Sequence, residues 1–65
     1  MDIEQRIGVA FNRASELAHT GQYAGWRAIE TAMRRTHPDI RTALSPIQSK
    51  RAIDEICREH FRGAA

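Results

Sequence analysis

Cysteine is almost missing from this 65-residue chain. Cys57 stands alone, which excludes an intramolecular disulfide framework and fits a reducing compartment. Long apolar runs are missing too. The longest, Ile7-Gly8-Val9-Ala10-Phe11, is far short of the ~20 residues that cross a bilayer. Asp2 and Glu4 stand where an export signal would carry positive charge, and no apolar block follows. A cytoplasmic chain with no membrane contact is the expectation. Glycine is sparse: Gly21 and Gly25 bracket Gln22-Tyr23-Ala24, a helix junction rather than a phosphate-cradling loop, and no cofactor is expected. The two prolines, Pro38 and Pro46, fall where helices should stop or start.

The chain is also short. Area scaling gives roughly 4,200 Å² exposed when folded against about 10,700 Å² unfolded. If about 60% of the difference is apolar, its burial stabilises by roughly 95–100 kcal/mol. Ordering the chain costs about 1.5 kcal/mol per residue, again roughly 100 kcal/mol. A lone monomer is therefore marginal. With disulfides excluded, a two-fold homodimer is the expected remedy, and the first helix is its candidate surface. A deep cofactor cavity does not fit this size, and no enzyme is expected.

What is present reads as helix. Ile3, Ile7, Ala10, Phe11, Ala14, Leu17 and Ala18 recur at helical spacing, predicting a first helix over 3–19. Asp2 with Gln5 makes a capping-box pattern, and Gly21 supplies the left-handed residue that ends helices. Trp26, Ile29 and Met33 share a stripe in a second helix over 24–36. Pro38 ends it by disfavouring helical geometry at His37. A third helix over 46–61 is announced by Ser45 as cap and Pro46 as first helical residue; Ile53, Ile56, Cys57, His60 and Phe61 form its apolar side. A short helical turn over 38–44 is pinned by Ile40 and Leu44. The fold class expected is all-α, a small three-helix bundle with one extra turn. It makes a single domain over 1–62, with residues 63–65 as a flexible tail.

Charge is unevenly placed. Nine arginines and Lys50 against eight acidic residues give a net charge of +2. Residues 27–51 carry Arg27, Arg34, Arg35, Arg41, Lys50 and Arg51 against only Glu30 and Asp39. This basic middle is the candidate macromolecule-binding set, for an acidic protein surface or for phosphate. Tested against the helix-turn-helix template, Ile29, Met33 and Ile40 fall at buried positions. Glu30 and Arg34, however, replace the expected small residue and turn glycine. A partner protein, or a second copy of the chain, is therefore the leading expectation, and DNA read by residues 27–51 the second.

Catalytic and metal signals are thin. Ser15, Ser45 and Ser49 sit in no nucleophile motif, and Asp54, Glu55 and Glu59 read as an exposed face with Lys50, Arg51 and Arg58 at salt-bridging spacing. Cys57 and His60 share a helix face, and His37 or His19 would be a third ligand. A zinc site needs three or four, so no metal is expected. Trp26 carries the largest apolar payload. It is expected to be buried against the first helix near Phe11 and Leu17. An exposed interface anchor beside Tyr23 and Arg27 is the alternative.

Overall fold

The first helix starts where the capping pattern places it. In a computed structural model that describes residues 2–62, the Gln5 backbone N–H donates to Asp2 Oδ1 at 2.9 Å. The Asp2 N–H donates back to Gln5 Oε1 at 3.3 Å. Helix α1 then runs Ile3–His19. Thr20 forms its C-cap, and Gly21 follows at φ +80°, the left-handed conformation that costs glycine little. Gly21 has a second reason to lack a side chain. A Cβ there would lie 2.5 Å from the His60 carbonyl oxygen.

Helix α2 spans Trp26–Met33, shorter than the expected 24–36 at both ends. Gly25 is fully extended, with φ −173° and ψ −178°, so Ala24 cannot join the helix. At the far end residues 34–36 form a turn, closed by the His37 N–H donating to the Met33 carbonyl at 2.8 Å. Helix α3 is one turn, Ile40–Ala43. Helix α4 spans Ile47–His60. Its N-cap is Pro46 in extended geometry with no side-chain capping bond, so Ser45 does not cap it, contrary to the sequence expectation. The expected tail, 63–65, lies outside the described residues.

The described residues contain four helices and no strand, the small all-α bundle that the apolar spacing predicts. Ile29, Met33, Ile40, Leu44, Ile53 and Cys57 are the largest fully buried side chains. None belongs to α1, whose buried positions are Ala10, Ala14 and Ala18. Three alanines at four-residue spacing make a flat stripe that lets the other helices approach closely. No helix among the described residues is long and apolar enough to cross a membrane.

Candidate binding face

Trp26 stands at the first position of α2, partly buried and packed against the core cluster that includes Ala10, Ala14 and Ala18 of α1. Its backbone is held from α4. The Trp26 backbone N–H is one of the donors that a helix start leaves unpaired. It donates to Asp54 Oδ1 at 2.7 Å, so a side chain from a distant helix does the work of an N-cap. Gly25 makes room for that carboxylate, since a Cβ on it would lie 3.0 Å from Asp54 Oδ1. Asp54 was expected on a solvated ion-pair face. Instead it fixes α2 on α4, and the three ion pairs among the described residues all lie elsewhere.

One turn before Asp54 on α4, Lys50 shares its face. Lys50 Nζ stands 4.9 Å from the Trp26 ring centroid, and the Arg27 guanidinium carbon stands 5.5 Å from it. Both distances are inside the cation–π range, where each contact contributes about 0.5–1 kcal/mol at exposed sites and more when desolvated. An open depression of about 360 Å³ adjoins the indole, lined by Ala24, Gly25, Arg27, Ala28 and Asp54. The arrangement is an aromatic plate with one cation from each of two helices.

The six candidate residues do not converge on one place. Arg27 and Lys50 meet at Trp26. Arg34 pairs with Glu30 at 3.7 Å within its own helical turn. Arg35 is exposed beside it. Arg41 lines a shallow surface with Pro38, Thr42 and Ser45, while Arg51 lines another with Asp54, Glu55 and Arg58. A different, apolar groove of about 480 Å³ runs between α1 and the α3–α4 junction, past Ile7, Phe11, Ala43 and Pro46. Ile3 and Ile47 are exposed, as is Val9 on another side of α1.

Cys57 is fully buried, and burial pushes its thiol above the ordinary value, helped by the negative charge of Asp54. It is held as a neutral thiol, a poor nucleophile. Among the described residues no group of three or more His, Cys, Asp or Glu side chains gathers as metal ligands would. No family model, curated protein or solved structure matches this chain. Asp54 is the functional residue that the sequence reading missed. Its contact spans 28 positions, and no local spacing announces it.

Proposed function

We propose that this chain is a non-catalytic helical binding module that engages an acidic segment of a partner protein at Trp26, Arg27 and Lys50. The observation that carries the reading is the half-buried indole held between a guanidinium and an ammonium from two different helices. Tryptophan and arginine dominate interface hot spots. A carboxylate can take the fork of Arg27 bidentately while a neighbouring apolar side chain rests on the indole. Asp54 pins the Trp26 backbone, so the plate is positioned before the partner arrives, which lowers the ordering cost of binding. A cytosolic, reducing setting belongs to the same reading, in keeping with a lone, buried thiol.

DNA finds less support. Helix α3, which a helix-turn-helix reading would lay in the major groove, has only four residues, and the basic residues are spread over several places.

Trp26 is the sole tryptophan, so intrinsic fluorescence reports on this face directly. Titration with a short peptide alternating Glu and Leu is expected to give a saturable change that weakens with added salt. The Arg27→Gln, Lys50→Gln double variant, with helicity unchanged, is expected to lose about tenfold or more in affinity. No saturable change would overturn the reading. So would tighter binding of random duplex DNA with a log–log salt slope near −3.6, the signature of about four phosphate contacts. Sedimentation without peptide tests the other expected partner, a second copy. Assembly that masks Trp26 would also overturn the acidic-partner reading.

A further inference from the structure

We propose that the acidic segment is an amphipathic helix laid along α4, its acidic side chain placed between two apolar ones that rest on Trp26 and on Ile47. This rests on the acidic-partner reading and gives that partner its form. Ile47 is the first residue of α4 and is 66% exposed, more than any other large apolar side chain among the described residues. A lone exposed isoleucine is ordinary; what singles this one out is its register. Ile47, Lys50 and Asp54 stand at i, i+3 and i+7, so they share one face of α4. Lys50 lies about 4.5 Å along the axis from Ile47, and Asp54 about 6 Å beyond Lys50. Asp54 holds the Trp26 N–H, and Lys50 Nζ stands 4.9 Å from the indole centroid. The face therefore runs from Ile47 through Lys50 to the indole, with an ammonium between two apolar anchors.

Charge and backbone chemistry both select the occupant. Arg27 and Lys50 belong to none of the three ion pairs among the described residues, so each is free to meet a carboxylate. Asp54, the acidic group on this face, is committed through Oδ1 to the Trp26 N–H. An extended partner segment would find no main chain to pair with. The N–H and C=O groups along α4 are spent within the helix, and the described residues contain no strand. A helix arrives with its own backbone bonds made and is read by side chains at one-turn spacing. Partner residues at i, i+3 and i+7 span about 10.5 Å, the same length as Ile47 to Asp54. Apolar contacts on either side then exclude water from the carboxylate on Lys50, as the surround of a binding hot spot does.

Two helix-forming peptides of about 18 residues, equal in composition and charge, test the proposal against the full chain by Trp26 fluorescence and calorimetry. One carries Leu, Glu and Leu at i, i+3 and i+7. In the other the second Leu moves to i+9, on the opposite face. The first is expected to bind about tenfold tighter. Ile47→Ser should remove that preference, leaving the two peptides within about twofold of each other while salt-sensitive binding persists. Ile3→Ser, which removes another exposed isoleucine from α1, should keep it. Circular dichroism checks that both variants hold their helices. If Ile47→Ser does not fold, the parent's preference between the two peptides decides. Equal binding of the two by the parent, a preference that survives Ile47→Ser or is lost in Ile3→Ser, or binding of the alternating Glu and Leu peptide alone would overturn the helical form and leave the acidic-partner reading standing. No saturable binding of any of the three peptides would overturn both.

Discussion

The two connections of this bundle are held by opposite means. The first, residues 20–25 between α1 and α2, is fastened by polar groups from far along the chain. Asp54 accepts from the Trp26 N–H that opens α2, and the Arg62 N–H donates to the Gly21 carbonyl. The second, residues 34–46, contains α3 and is fastened by burial. Ile40 and Leu44 are fully buried, and its hydrogen bonds are local: His37 to Met33, Ile40 to His37, Leu44 to Ile40, Ser45 to Thr42. Among the described residues one long-range polar contact reaches it, Arg6 with Asp39 at 3.8 Å, both partly solvated, and a solvated pair of this kind contributes little. A short chain can thus set the angle of a helix with a few aimed hydrogen bonds, or with two aliphatic side chains in the core. The candidate binding face sits on the first kind of connection.

The largest test of this contrast is Leu44→Ala. It empties a fully buried position at the end of α3, and a loss of about 2–5 kcal/mol is expected from transfer and cavity terms together. In a chain this marginal, urea denaturation should show a midpoint lowered to the edge of the folded range. A cost under about 1 kcal/mol would mean that burial does not hold the second connection.

Asp54→Ala tests the first connection. It removes the acceptor for the Trp26 N–H and resembles the loss of an N-cap, which costs about 0.5–2 kcal/mol. The same change should redden Trp26 emission, since α2 loses its pin on α4 and the indole gains water. Loss of stability with unaltered Trp26 emission would separate the carboxylate from the positioning of the binding face.

The contrast also explains what could be read from the sequence. Several signals within a turn or two were legible: Asp2 with Gln5, the left-handed Gly21, and Ile40 with Leu44 four apart. Each rests on chemistry that neighbours in sequence complete between themselves. The second helix is shorter than its periodicity suggests because Gly25 is extended and residues 34–36 turn, and the Trp26 N–H is taken by Asp54, a partner that periodicity does not reveal. Apolar content sends the Trp26 indole toward the core, and it does pack there, but its place at the edge between a lysine and an arginine depends on tertiary contacts that the sequence pattern does not carry. Of the basic residues, the sequence named Arg27 and Lys50 but could not single them out. Their meeting depends on α2 lying against α4.

The smallest expected effect is at Thr36, in the second connection. Its hydroxyl reaches the Met33 carbonyl at 3.5 Å and His37 Nδ1 at 2.9 Å, on an exposed residue. Water replaces both contacts readily, and the His37 N–H already serves the Met33 carbonyl at 2.8 Å. Thr36→Ala should therefore change stability by less than about 0.5 kcal/mol. The urea midpoint should move little, with an unchanged dependence on denaturant. The expected result leaves Ile40 and Leu44 as what holds residues 34–46 in place. A loss above about 1 kcal/mol would show that this connection also depends on an aimed hydrogen bond, and the distinction between the two would fail.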